Sequence, residues 1–231
     1  MNLSAVDDDL YIKKLIQILK TEVRENNEII EMAYNYRNIL NNQQQNKISA
    51  LLTIEDGRSI DGSLEKLKKY YELGVRLITL TWNYENCFGW PNSSDQKIMK
   101  KGLKEFGIQA VKYMNEIGMI IDVSHLSDGG FYDTLKHSQQ PVVASHSNAR
   151  SLAPHPRNLK DDMIKLIAEK GGVIGLNFAP QFLNEDSSNQ DSRLNEMVKH
   201  LNYIKNLGGE SVIALGSDLD GIEGNLEIES S

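Results

Sequence analysis

Cysteine occurs once in the 231-residue sequence, at Cys87, which excludes an internal disulfide and fits a reducing compartment. Proline is scarce, at five residues, so a proline-rich or fibrous chain is excluded as well. Basic charge is in deficit: 25 Lys and Arg stand against 32 Asp and Glu, for a net charge of -7, and the basic residues are scattered. No nucleic-acid partner is expected, and a small molecule is the default ligand. No apolar run approaches the ~20 residues of a membrane-spanning helix. The start MNLSAVDDD lacks the basic, apolar layout of a signal peptide. A cytoplasmic protein without a membrane partner is the simplest expectation. Phosphate-cradling glycine motifs are missing too, since neither GxGxxG nor GxxxxGK(S/T) occurs.

What the sequence does have is 40% hydrophobic and 25% charged residues, the balance of one globular domain over 1–231. From about Asp7 to Asn42, Leu15, Ile18, Leu19, Ile29, Ile30 and Met32 recur at spacings of three and four, which predicts an amphipathic helical region. A polar NNQQQN connection ends it. Short apolar runs then alternate with helical segments: strands near 48–54, 76–81, 119–124, 141–145, 172–177 and 212–217, helices near 62–73, 101–117, 129–137, 160–170 and 191–207. Runs such as GGVIGLNF are apolar on both faces, so this rhythm predicts βα units around a buried parallel sheet.

Four of the apolar runs end on a potential metal ligand: LLTIE on Glu55, MIIDVSH on His125, PVVASH on His146 and VIALGSD on Asp218. A parallel (β/α) barrel carries its chemistry at the C-terminal ends of its strands, where one ligand per strand converges on one mouth. Taken singly, each has an ordinary reading. Glu55 suits a solvated loop, a lone histidine is more often structural, and Asp218 and Asp220 in GSDLDG suit caps or turns. Two histidines at successive strand ends, with Glu55 and Asp218, favour a metal site, because neutral imidazole is a common zinc ligand. Asp218 is preferred for chemistry because it comes first after its run; Asp220 is left structural.

The other candidates are weaker. His137 ends a helical segment and His200 lies in a polar one, so both are expected at the surface. His155 falls in the loop LAPHPRN, where a solvated ring is the ordinary reading. Arg157 beside it has a planar fork suited to a substrate carboxylate. Cys87 carries no signature of a nucleophile and is expected to be inert.

The segments IEDGRSIDGSLEKL, LGVRLITLTWN, GLKEFGIQAVKYMNEIGMIIDVSHLSD, PVVASHSNARSLAPHPRNLKDDMI, GGVIGLNF and GSDLDG, in order from about Leu51 to Gly221, resemble the membrane (renal) dipeptidase family of zinc peptidases. The resemblance implies a TIM-type (β/α)8 barrel with two zinc ions at its mouth. It implies Glu55 as the carboxylate bridging both metals, His125 and His146 as ligands of the second zinc, and Asp218 as acid/base beside the first zinc. Arg157 would hold the C-terminal carboxylate of a dipeptide. Trp82 stands at the substrate-facing position where the animal enzymes carry a histidine that helps stabilise the tetrahedral intermediate, and Asp56 stands where the family usually has glycine.

The resemblance also implies an incomplete barrel. The family's opening His-x-Asp strand and the second barrel strand have no counterpart in this reading. Residues 1–47 are expected as a helical lead-in, 48–221 as barrel strands three to eight, and 222–231 as a truncated tail. Glu55, His125 and His146 would hold at most one zinc tightly, because Glu55 and Asp218 alone are too few for the other. The strands at 48–54 and 212–217 are expected to have open edges that invite a second copy, a complementing N-terminal segment or the N-terminal helix. Zinc-dependent dipeptide hydrolysis is the leading functional expectation. A catalytically impaired fragment, one part of a split enzyme, or a metal-dependent hydrolase of another small amide or lactone are the alternatives.

Overall fold

The strands of this protein are two to five residues long, so helices and loops carry most of the chain. The structure, a computed structural model, describes residues 8–226; the first residues of the lead-in and the end of the 222–231 tail lie outside the described residues. In chain order the elements are α1 (Asp8–Glu25), β1 (Ile30–Met32), α2 (Tyr36–Gln44), β2 (Ile48–Ala50), β3 (Leu52–Glu55), α3 (Leu64–Glu72), β4 (Val75–Thr79), α4 (Gln96–Met99), α5 (Glu105–Ile117) and β5 (Ile120–Asp122). There follow α6 (Asp128–His137), β6 (Val143–Ala144), α7 (Asp161–Glu169), β7 (Val173–Leu176), α8 (Pro180–Leu183), β8 (Asp191–Ser192), α9 (Leu194–Gly208), β9 (Ile213–Leu215) and β10 (Asn225–Leu226).

Six strands pair in parallel in the order β3-β4-β5-β6-β7-β9, the α/β architecture expected from the alternating pattern, and the sheet is not closed among the described residues. Parallel neighbours need crossovers, and the helices that make them bury apolar stripes on the sheet. Leu67 and Tyr70 of α3, Val111 and Met114 of α5, Phe131 of α6, and Ile164 and Ile167 of α7 pack with Ile54, Val75, Ile78, Ile121 and Ile174 in one cluster. Gly118 ends α5 in the left-handed conformation (φ 78°), which lets the chain turn directly into β5.

The lead-in departs from the sequence reading. It is not wholly helical: β1 runs parallel to β2, pairing Ile30 with Ile48 and Met32 with Ala50. A three-residue strand is too short to register against helical spacing, and its Ile30 and Met32 were absorbed into that spacing. The run at 48–54 accordingly divides at Leu51, its first part pairing with β1 and its second with β4. Strand β1 therefore covers part of the edge that the run at 48–54 is expected to leave open. Two helices begin later than the pattern implied, α5 at Glu105 and α9 at Leu194, the latter because Asp191–Ser192 pairs with β10.

Helix α1 lies along the β3 end of the sheet. Ile16 and Val23 are buried in the core, Lys20 Nζ donates to the Leu73 carbonyl at 2.7 Å, and Tyr70 donates to Asp9 at 3.0 Å. Between α1 and β3 runs a groove of about 380 Å³, lined by Tyr11, Leu15, Leu19, Leu52 and Ile54 and reaching Glu55.

Candidate metal centre

Each sequence-selected ligand stands where an apolar strand stops. Glu55 is the last residue of β3; His125 follows β5 by three residues, His146 follows β6 by two, and Asp218 follows β9 by three. The backbone at two of these ends is unusual: His125 has φ 66° and Asp218 φ 61°, both left-handed. Such conformations are uncommon for non-glycine residues and persist where surroundings over-determine them. At His125 the surroundings are plain. Its carbonyl accepts from Asn92 N at 2.7 Å, Asn92 Nδ2 at 3.1 Å and Thr81 Oγ1 at 3.3 Å.

His146 is placed by a close approach of three strands. A Cβ on Gly175 would stand 2.0 Å from the Ser145 carbonyl oxygen, and one on Gly216 would stand 1.9 Å from it. Only glycine at both positions lets β7 and the end of β9 reach Ser145, and so bring His146 and Asp218 to the same side.

Asp56, directly after Glu55, adopts φ 75°, which explains why glycine suits this position. Its side chain replaces what glycine would supply in freedom: Oδ1 accepts from Arg58 N at 3.0 Å and from Asn86 Nδ2 at 3.0 Å. Asp56→Ala, which keeps the strained backbone and removes both bonds, is expected to cost about 1–2 kcal/mol. Asp56→Gly should cost less, as chemical denaturation of the two variants would show.

The ligand atoms of Glu55, His125 and His146 all lie within 4.8 Å of one another. Glu55 Oε1 is 3.1 Å from Nε2 of each histidine, and the two Nε2 atoms are 3.0 Å apart. Tetrahedral coordination with bonds of ~2.0–2.1 Å separates neighbouring ligands by roughly 3.3–3.4 Å. The triangle thus fits an ion with shifts of a few tenths of an ångström, and the carboxylate–imidazole donor set suits zinc. His125 Nδ1 is buried without a hydrogen-bond partner among the described residues.

Burial pushes the His125 imidazole down to about 4, against Glu55, which raises it. The hydrogen bond from His125 holds the Glu55 carboxyl well below its ordinary value of 4.5. Both effects have one sign. As pH falls from 6.5 toward about 4 the unfolded chain takes up a proton that the folded His125 refuses, so stability is lost through that window, and Glu55 adds to the loss below 4.5. Metal-free protein is expected to lose up to ~3 kcal/mol between pH 7.5 and 4 from His125. Urea midpoints across this range measure it, and His125→Gln should flatten the slope.

Asp218 lines a cavity together with Glu55 and His125 but does not belong to the three-ligand group. Asn177 Nδ2 donates to its Oδ2 at 3.0 Å, and Asn177 is itself fixed by Asn148 through bonds of 2.9 Å in each direction. The cavity, about 440 Å³, is also lined by Trp82, His155, Arg157, Gln181 and Phe182. Arg157 is 6% exposed, donates to the His146 carbonyl at 3.0 Å and to Ser147 Oγ at 3.3 Å, and leaves Nε buried without a partner among the described residues. Burial pushes its guanidinium down to about 10. Phe182 backs the guanidinium at 5.5 Å, and the His155 ring lies 4.7 Å from Phe182. His155 is half-buried and accepts from Arg157 N at 3.1 Å, so it is not the solvated loop residue of its ordinary reading.

Other histidines divide. His137 is partly buried at the end of α6, whereas His200 corrects the surface assignment: it is fully buried, accepts from Ala149 N at 3.1 Å and lies 3.0 Å from the Leu183 carbonyl. Its polar neighbours in sequence hid a position on the inner stripe of α9. Cys87 is half-buried, and burial pushes its thiol up, away from nucleophilic use. Asp220 is exposed. Sequence reasoning missed Asp122, Ser145 and Asn177. A carboxylate inside the apolar run MIIDV was the available signal, because a buried charge requires partners.

A family model described as membrane dipeptidase, peptidase family M19, matches residues 6–229. An uncharacterized protein in the pqqA 5′ region of Klebsiella pneumoniae is 41% identical over 187 residues, covering 78% of this chain and 68% of that protein. An uncharacterized dipeptidase of Schizosaccharomyces pombe is 37% identical over 177 residues, covering 76% of this chain and 42% of its own length. A metallo peptidase from Rhodobacter sphaeroides, solved with a phosphinate mimic of the dipeptide L-Ala-D-Ala, superposes with a TM-score of 0.82 at 28% identity, covering 90% of this chain and 60% of that one. The chain thus spans less than two thirds of two of these three relatives. No helix of the described residues is long and apolar enough to cross a membrane. The strand-end ligands, the parallel sheet and the match along nearly the whole sequence agree, and the chain belongs to the membrane dipeptidase family of metallopeptidases, M19.

Proposed function

We propose that this site hydrolyses the peptide bond of dipeptides with zinc held by Glu55, His125 and His146. The observation that carries the reading is that Glu55 and His125 of this three-ligand group share one cavity with Arg157, a buried cation that holds the His146 carbonyl and whose Nε has no partner among the described residues. A bound zinc ion supplies Lewis acidity, activating water near neutral pH and polarising the scissile carbonyl. The chain's own residues do the rest. Arg157 binds the C-terminal carboxylate and so places the peptide bond against the ligand group. Asp218, its Oδ2 fixed by Asn177, passes a proton from water to the leaving amine. Trp82, 37% exposed with its ring 6.4 Å from that of His125, forms a substrate-facing wall.

The test is hydrolysis of Ala-Ala dipeptides of both configurations by zinc-loaded protein, with release followed by amine detection. Activity lost to a chelator and restored by zinc is the expected result. Equal use of a lactone or an amide without a free carboxylate would instead support the wider hydrolase reading.

A further inference from the structure

We propose that Asp122 is a positioning residue that presets the His146 ring for the metal, acting through the Ser145 hydroxyl; this rests on the zinc reading above. Asp122 is fully buried at the end of β5 and receives four hydrogen bonds. Oδ1 accepts from Ser124 N at 3.0 Å and Ser145 N at 2.9 Å; Oδ2 accepts from Thr79 Oγ1 at 2.6 Å and Ser145 Oγ at 2.5 Å. A carboxylate only accepts, so the one hydroxyl proton of Ser145 is committed to Asp122. The Ser145 oxygen then accepts from the atom on its other side, Nδ1 of His146 at 2.7 Å. A ring with its proton on Nδ1 presents a lone pair on Nε2, the atom that meets Glu55 Oε1 and His125 Nε2. The His146 backbone is held as well, its N–H donating to Ser124 Oγ at 3.1 Å.

The two histidine ligands therefore differ. His146 is tied through Ser145 to a buried carboxylate, whereas His125 Nδ1 has no partner among the described residues. His125 serves as an internal reference for what an unset ring does.

The geometry makes Asp122→Asn a directional test. Two backbone N–H groups point at Oδ1, so the amide oxygen of asparagine must take that place and the NH2 group must take the place of Oδ2. That NH2 donates to Ser145, whose hydroxyl then turns its proton toward His146 Nδ1 and drives the ring proton onto Nε2. Thr79→Val removes another donor to the same Oδ2 without touching the relay, and is the control for a merely structural effect.

The experiment is a long-range 1H–15N correlation of the imidazoles in metal-free protein, with zinc affinity measured by competition against a chelator and folding checked by circular dichroism. Expected are an Nδ1–H ring for His146 in the unsubstituted protein and in Thr79→Val, and an Nε2–H ring in Asp122→Asn. Ser145→Ala should lose the Nδ1–H preference. Zinc affinity should fall roughly 10–100-fold in Asp122→Asn and Ser145→Ala, and not in Thr79→Val. An Nε2–H ring in the unsubstituted protein, a ring pattern unchanged by Asp122→Asn, or equal zinc loss in Thr79→Val would overturn the relay. If the unsubstituted protein binds no zinc, the proposed function fails, and the ring patterns still decide the relay separately.

Discussion

His146→Ala is expected to abolish tight zinc binding, with a loss well beyond the roughly 10–100-fold attached to outer-shell partners. The reason is the count of ligands: Glu55, His125 and His146 form the one three-ligand group among the described residues, and removing Nε2 of His146 leaves two. Unsubstituted protein is expected to retain no more than one zinc per chain, because among the described residues a second ion would have only Glu55 and Asp218 to share. Elemental analysis after dialysis measures both. Two equivalents retained by unsubstituted protein, or one by His146→Ala, would show that the ligand set is drawn wrongly. Thermal melting gives an independent readout: zinc at a hundred times its dissociation constant stabilises by ~2.7 kcal/mol. That stabilisation should be absent in His146→Ala.

The second large effect is expected at Arg157. In active protein, Arg157→Met should lower kcat/KM for a dipeptide by about ten- to hundredfold, the equivalent of roughly 1.5–3 kcal/mol for a hydrogen bond to a charged group. Arg157 also holds the His146 carbonyl, so the variant alone could report on the metal ligand rather than the clamp. A dipeptide whose C-terminal carboxylate is an amide separates the two. If the guanidinium binds that carboxylate, the amide is a poor substrate for unsubstituted protein and loses little more in Arg157→Met. A variant that is equally impaired on both substrates would place the role of Arg157 in the structure of the site.

The sequence alone determined the α/β class, the six parallel strands and the places of the candidate ligands at strand ends, because each rests on local information. Apolar runs of strand length that alternate with helical spacing name their own elements, and a ligand just beyond such a run lands on the C-terminal edge of the sheet. Elements below that length were invisible: β1 has three residues, β8 and β10 two each, and each exists only because a distant partner supplies its hydrogen bonds. Tertiary structure also decided which polar residues matter. Asn177 carries no mark in the sequence and Asp122 only its place inside an apolar run, yet each is buried and obliged to find partners, and those partners are Ser145 beside His146 and the carboxylate of Asp218. His200 went the same way, its imidazole turned inward because the apolar stripe of α9 faces the core. Hydrogen bonds between residues 23 to 51 apart in the chain leave no periodic trace in composition. The ligands of a site can be read from strand ends, but the network that orients them is set by which strands lie side by side.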